Sequence, residues 1–130
     1  MSIFSCYGNV TYTNEDSEKE KGLRIANKFY ESKDLISEQD SLTIANLLSN
    51  EFLGKVSKNT MFKTLQSQRQ KYGTIKGQEL YSWSTERRTG SNPYWECKLS
   101  FHVKYENEIR DEDLILIKDN DSIKILYYGI

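Results

Sequence analysis

Residues 95–105 read Trp-Glu-Cys-Lys-Leu-Ser-Phe-His-Val-Lys-Tyr, and this stretch decides the fold. Its odd positions are all apolar or aromatic, and its even positions are all polar or charged. Alternation with a period of two is typical of a β-strand with one buried face and one solvated face. The segment therefore predicts a long antiparallel strand in a sheet that packs one face against a core.

The pattern of strands extends to both sides of this segment. Turn-forming residues at 89–93 and at 106–111 separate it from further β-rich stretches, and residues 119–121 form a turn between the last two. Four strands are predicted in all, at 75–86, 95–105, 114–117 and 123–128. Because the links between them are short, an antiparallel meander is favoured over a parallel sheet.

Before Gly73 the apolar residues recur at helical spacing instead. Three helices are predicted, one over 14–33 and two that begin after the capping residues Ser37 and Ser57, with a break between the last two. The fold class is therefore α+β, with three N-terminal helices packed on a curved four-stranded antiparallel meander sheet. Residues 14–130 form a single domain, preceded by residues 1–13 as an N-terminal extension or short strand.

Composition excludes several classes of protein. The chain has 130 residues, of which 37% are hydrophobic and 12% aromatic, and this favours a folded core over disorder. The net charge of −1 argues against a constitutive nucleic-acid binder, which is usually basic, so no specific nucleic-acid partner is predicted. No apolar run approaches the ~20 residues of a membrane span, so no transmembrane segment is predicted.

The two cysteines, Cys6 and Cys97, leave two interpretations of the N-terminus open. Ile3-Phe4-Ser5-Cys6 loosely resembles the end of a bacterial lipoprotein signal, which makes Cys6 a lipidation candidate. The protein would then be periplasmic or anchored to a membrane as a lipoprotein; otherwise it would be cytoplasmic. Alternatively the first residues form a short strand, since they are good strand formers.

The order of elements resembles the cone-shaped, cystatin-like superfamily of nuclear transport factor two. Within it, the pattern is similar to small exported bacterial domains of unknown function. The residues that carry the resemblance are Phe52, Val56-Ser57, Arg69, Gly73, the 95–105 strand and Tyr128-Gly129-Ile130. The resemblance implies a bacterial origin and the same α+β fold, but no activity, because none is assigned to that group.

Enzymes of this superfamily work inside the cone, and five residues are candidates for lining a ligand pocket there: Arg69, Tyr81, Trp83, Tyr105 and Tyr127. The alternative is structural, with Arg69 in an ion pair and the aromatic residues in the core. The single histidine, His102, falls on the polar face of its strand, where a surface position is expected rather than a general base. No catalytic residue is therefore predicted, and the chain is interpreted as more typical of a non-enzyme.

Two acidic runs, 111–113 and 119–121, invite a calcium interpretation, but neither has the ligand spacing of an EF-hand loop. Asp and Asn in such runs are typical of turns. No metal site and no cofactor are therefore predicted.

Charge is segregated along the chain. Residues 55–78 hold six bases and no acid, whereas residues 106–121 hold seven acids and two bases. The basic strip for docking is Lys55, Lys58, Lys63, Lys71 and Lys76. The acidic patch for docking is Asp111, Glu112, Asp113, Asp119 and Asp121. Paired patches of this kind steer association with a charged partner, although the same charges could instead pair within the fold.

These observations favour a non-catalytic binding domain of a bacterial, envelope-associated protein, with another protein as partner. Two alternatives remain open: an immunity-type protein that neutralises a toxin, and a small-molecule binder or enzyme that uses the interior of the cone. A homodimer built on the outer sheet face is a further option, though the charged even face of 95–105 is a poor apolar interface.

Overall fold

The alternating segment forms the middle strand of a sheet, and its odd-numbered side chains are buried while its even-numbered ones are not. The computed structural model describes residues 10–129. The elements follow the chain in the order β1 Val10–Thr13, α1 Asp16–Leu35, α2 Glu38–Leu47, α3 Asn50–Lys55, α4 Lys58–Tyr72, β2 Ile75–Thr89, β3 Tyr94–Tyr105, β4 Ile109–Asp119 and β5 Ser122–Gly129.

The five strands form one curved antiparallel sheet in the order of the sequence. The helices cover one face, which we call the inner face, and the other face is the outer face. On β3, Cys97 lies opposite Thr85 of β2 and Leu116 of β4, and all three are buried on the inner face. The predicted α+β class, with helices packed on a curved antiparallel sheet, is confirmed.

Serine residues begin three of the helices. The hydroxyls of Ser37, Ser49 and Ser57 each accept a hydrogen bond from the backbone N–H three residues further on, at 3.2, 3.0 and 3.1 Å. These bonds satisfy N–H groups that the first turn of a helix leaves unpaired. Two of the three caps, Ser37 and Ser57, were predicted from the sequence.

The structure has one helix more than the three predicted, and its sheet has one strand more than the four predicted. That strand, β1, falls within residues 1–13, for which a short strand was one of the two interpretations. The additional strand, β1, pairs with the far end of β2, with Val10 opposite Thr89. The additional helix, α3, occupies the predicted break, because Ser49 caps it and Phe52 anchors it in the core. A third difference is the start of β4, which begins at Ile109 rather than near residue 114.

Helix α1 lies directly against the sheet. Its buried stripe includes Ala26, Phe29 and Tyr30, which are spaced to share one side of the helix. At Gly22 an added Cβ would lie 2.6 Å from the sulfur of Cys97 on β3. The helix thus approaches the middle strand more closely than any side chain at position 22 would allow.

Candidate functional site

Three consecutive acids on β4 point in alternate directions, because successive side chains of a strand face opposite sides of the sheet. Asp111 and Asp113 are exposed on the outer face, whereas Glu112 lies opposite Phe101 on the inner face. The side chain of Glu112 is 0% exposed. Its assignment to a surface acidic patch is therefore wrong, and the reason is that the strand begins before it rather than after it.

Three tyrosine hydroxyls donate hydrogen bonds to the Glu112 carboxylate. Tyr30 of α1 and Tyr128 of β5 donate to Oε1 at 3.0 and 2.8 Å. Tyr105 of β3 donates to Oε2 at 2.6 Å. A buried carboxylate is tolerated only where such donors replace the water it has lost. One helix and three strands therefore meet at a single side chain.

Lys33 of α1 extends this network. Its Nζ donates to the Tyr105 hydroxyl at 2.6 Å, and the residue is only 3% exposed. Burial lowers the pKa of Lys33 to about 8, although the charges of Glu112 and Asp34 oppose that shift. We call these five residues the polar cluster: Tyr30, Lys33, Tyr105, Glu112 and Tyr128.

The polar cluster is built to hold charge within the core. Burial first, and then the charge of Glu112, raises the pKa of the Tyr30 and Tyr128 hydroxyls, which therefore stay protonated as donors. Phe29 packs edge-on against Tyr30 and Tyr128, with ring centroids 5.4 and 4.9 Å apart. The groups of the cluster are directed at one another and enclosed by aromatic rings.

The predicted pocket residues do not converge. Of the five, Tyr105 belongs to the polar cluster. Tyr81 and Tyr127 are 48% and 46% exposed, so the expectation that they point inward is wrong. Tyr81 falls at an irregularity in the β2–β3 register, and Tyr127 pairs with Ile115 on the outer face. Register shifts of this kind redirect side chains and break a simple alternation.

The remaining two candidates lie at separate places. The guanidinium of Arg69 donates to the backbone carbonyl of Asp34 and lies 3.8 Å from its carboxylate. This matches the structural interpretation of Arg69. Trp83 is partly buried against the core, and the ammonium of Lys19 lies 4.9 Å from its ring centre.

The outer face carries the single histidine, as expected. The imidazole of His102 lies 2.5 Å from the carboxylate of Asp111 and stacks on the ring of Tyr81, with 4.0 Å between the ring centres. On the same face, the Ser100 hydroxyl donates to Asp113 at 2.7 Å. Two of the predicted patch acids are therefore already engaged with neighbouring strand residues.

The predicted acidic patch is divided. Asp119 accepts a hydrogen bond from the backbone N–H of Asn50, at 3.0 Å, and Asp121 lies in the β4–β5 turn with a φ of 67°. At ~3.4 Å per strand residue, about 27 Å of strand separates Asp119 from Asp111. These acids do not form one continuous surface.

The basic strip is exposed throughout. Its members are Lys55, Lys58, Lys63, Lys71 and Lys76. Lys55 lies 4.0 Å from Glu51, and the ammonium of Lys71 lies 5.6 Å from the ring centre of Tyr72. Within residues 10–129, no acidic partner lies within ion-pair distance of Lys58, Lys63, Lys71 or Lys76.

A groove of about 680 Å³ runs between helices α3 and α4 on one side and strand β5 on the other. We call it the β5 groove. Its lining is mainly apolar and is supplied by Phe52, Val56, Met61, Ile115 and the strand residues 126–129, with Glu51, Lys55, Thr60, Thr64 and Gln68 at its rim. The hydroxyl of Tyr128 hydrogen-bonds Gln68 at 3.1 Å and so links the groove to the polar cluster.

Other predictions concern metals, membranes and cysteines. Among residues 10–129, no group of three or more His, Cys, Asp or Glu side chains is arranged to hold a metal ion. In the same range no helix combines the length and apolar character needed to span a bilayer. Cys97 is fully buried, and burial raises the pKa of its thiol to about 12. The lipidation candidate Cys6 lies outside the described residues.

The burial of two members of the polar cluster could have been predicted from the sequence, although Lys33 was not singled out and Glu112 was assigned to the surface. Lys33 falls three residues after Tyr30 and four after Phe29, on the apolar stripe of α1. Glu112 is in phase with Leu114 and Leu116, so extending the alternation of β4 upstream places it inside. Each is a charged residue at an apolar position of its pattern.

The fold and these sites define an α+β domain with a closed polar cluster in its core and a basic helix on its surface. No protein-family model, curated protein or solved structure matches this chain.

Proposed function

We propose that this chain is a non-catalytic, protein-binding domain that docks through its basic strip. The observation that carries the proposal is the state of the α4 lysines. Lys58, Lys63 and Lys71 are exposed, their helix contains no acidic residue, and within residues 10–129 none of the three has an ion-pair partner. Lys63 and Lys71 line one cleft beside α4, whereas Lys58 lies in another cleft that also contains Asp119. Unpaired like charges that lie close together, as Lys63 and Lys71 do, attract a partner of opposite charge and increase its rate of association.

The distribution of the acids supports the basic strip as the docking surface. Asp111, Asp113 and Asp119 are hydrogen-bonded within the fold, and Glu112 is buried. Four of the five predicted patch acids are thus hydrogen-bonded or buried, whereas four of the five strip lysines have no ion-pair partner within residues 10–129. A partner with an acidic surface fits this arrangement better than a basic one.

The inner face supports a non-catalytic role. The polar groups there bond to one another, and the residues expected to line a pocket lie at separate places. A ligand pocket needs polar groups that converge on an open space. The polar cluster instead converges on its own carboxylate.

Site-specific photocrosslinking in the cells that express this chain would test the proposal. A photoreactive amino acid at position 63 or 71 is expected to give a discrete adduct with one protein. The same amino acid at position 28 or 104, both exposed lysines outside the basic strip, serves as the matched control. The adduct should weaken as salt is raised, because exposed charges are screened. Equal adducts from the control positions would contradict the proposal.

A further inference from the structure

The β5 groove has the shape and lining of a site for an apolar side chain. Its volume of about 680 Å³ falls within the range of ligand pockets, roughly 300–1,000 Å³. Phe52, Val56 and Met61 line one wall from α3 and α4, and Leu126 lines the other from β5.

The strand that borders the groove is the edge of the sheet. Beyond β5, the described chain makes one bridge, where Leu48 pairs with Ile125 and the Ser49 N–H donates to the Ile125 carbonyl at 2.9 Å. The following residues, Leu126–Gly129, contain no charge and no proline. Charged side chains and prolines commonly protect natural edge strands from pairing with another chain. Leu126–Gly129 contain neither, so this segment is available to pair with a further strand.

The charged residues around the β5 groove indicate what kind of strand would pair with this edge. Lys55 lines the rim of the groove, and Thr60, Thr64 and Gln68 are shared with a shallow cleft that carries Lys63 and Lys71. The single acid at the rim, Glu51, already faces Lys55 at 4.0 Å. An occupant that carries carboxylates would meet uncompensated ammonium groups along α4.

We propose that the β5 groove binds an acidic peptide in extended conformation, which adds to the edge of β5 as a sixth strand. The inference rests on the proposed function and specifies its partner. The peptide places alternate apolar side chains in the groove and its carboxylates beside Lys55, Lys63 and Lys71. Main-chain hydrogen bonds to Leu126–Gly129 then supply affinity, and the groove supplies specificity.

A peptide fits these features better than a nucleic acid does. A phosphodiester backbone has no alternating N–H and C=O groups with which to extend a sheet. The apolar lining of the groove would also gain little from a phosphate. The net charge of −1 opposes general attraction to polyanions.

The test starts with selection from a random dodecapeptide display library on the immobilised full chain. We expect enriched peptides that alternate apolar residues with Asp or Glu. Their affinity should fall about tenfold or more for the double variant Lys63→Glu/Lys71→Glu and for Tyr127→Asp. The matched controls Lys28→Glu/Lys104→Glu and Tyr81→Asp, on exposed residues elsewhere, should bind as the parent does. Far-UV circular dichroism and thermal midpoints confirm that every variant is folded.

Backbone pairing is tested with N-methylated versions of an enriched peptide. Methyl groups on one set of alternate amides should abolish binding, and methyl groups on the other set should leave it intact, since only one set faces β5. Equal effects from both sets would overturn strand addition.

The outcomes separate the two proposals. If the lysine reversals weaken peptide binding but Tyr127→Asp and N-methylation do not, the basic strip is the docking surface and the groove is not the site. If no acidic peptide is enriched, or no variant changes binding, the groove proposal fails, and the photocrosslinking experiment alone decides the docking role of the basic strip. If random-sequence duplex DNA competes with the peptide at the same lysines and binds more tightly, the strip is a nucleic-acid surface and the peptide assignment is wrong.

Discussion

The two faces of strand β4 carry the same chemistry in opposite settings. Glu112 points inward and is held by three tyrosine hydroxyls, whereas Asp111 and Asp113 point outward and each contact one neighbouring side chain. The three carboxylates are consecutive in the chain. The comparison shows that the contribution of a charged side chain to stability depends on which groups replace its hydrating water, and not on its place in the sequence.

The largest expected effect is a difference in stability between variants on the two faces of β4. Glu112→Ala should lower the free energy of unfolding by about 3–5 kcal/mol. It leaves the buried hydroxyls of Tyr30 and Tyr105 without an acceptor and removes the carboxylate charge near Lys33, while the Tyr128 hydroxyl keeps Gln68. Asp111→Ala, on the outer face, should change it by less than ~0.5 kcal/mol. Urea denaturation followed by tryptophan fluorescence measures both. Equal losses from the two variants would show that the polar cluster does not stabilise the core.

A pH-dependent effect comes next. Burial holds the pKa of Lys33 at about 8 in the folded chain, against 10.5 for the free side chain. Between these values the unfolded chain binds the extra proton, so the free energy of unfolding should rise with pH across the window. For a shift of this size the rise is on the order of 3 kcal/mol.

The variant Lys33→Met should abolish that rise, and Lys104→Met on the outer face should retain it. Denaturation curves from pH 7 to pH 9 test the first part of this rise. The Cys97 thiol and the tyrosines of the cluster, whose pKa values burial raises, act in the opposite direction only above about pH 9. A parent protein whose stability is flat over this range would contradict the setting inferred for Lys33.

A smaller effect is expected from neighbouring tyrosines on β5. Tyr128→Phe removes the hydroxyl that bonds both Glu112 and Gln68 and should cost about 1–2 kcal/mol. Tyr127→Phe removes an exposed hydroxyl and should leave stability unchanged within ~0.5 kcal/mol. Thermal unfolding of the pair decides whether the link between the groove and the polar cluster stabilises the fold. If Tyr127→Phe costs as much as Tyr128→Phe, the assigned faces of β5 are wrong.

The smallest effect belongs to the outer face. A double-mutant cycle between His102 and Asp111 should give a coupling energy of roughly 0.2–1 kcal/mol, as exposed pairs do. The coupling should shrink further in concentrated salt. A coupling of several kcal/mol would mean that the outer face is covered in solution, which would restore the option of a homodimer built on this face.

The sheet could be predicted from the sequence because its signal is local. The alternation over 95–105 and the serine caps of two helices each depend on residues a few positions apart. The N-terminal strand stayed one of two interpretations because its pairing partner is distant in the chain. The four residues of β1 become a strand only through pairing with the end of β2, more than seventy positions away.

The polar cluster was missed for a related reason. Three consecutive acids are typical of a solvated turn. The alternation of β4 places the middle one on the inner face, and the tyrosine hydroxyls satisfy its carboxylate there. Two of the three donors are distant from Glu112 in the sequence: Tyr128 lies 16 residues away and Tyr30 lies 82 residues away. Composition and periodicity do not show that these tyrosines come together at Glu112.

The contact between Gly22 and Cys97 restricts the order in which this sequence can change. A methyl group at position 22 would meet the sulfur on β3 and also lie 3.2 Å from Leu116. Alanine at 22 therefore requires either that the Cys97 sulfur shifts or that position 97 carries a smaller side chain. Substitutions at positions 22 and 97 are therefore coupled, and related chains should carry changes at these two positions as a pair.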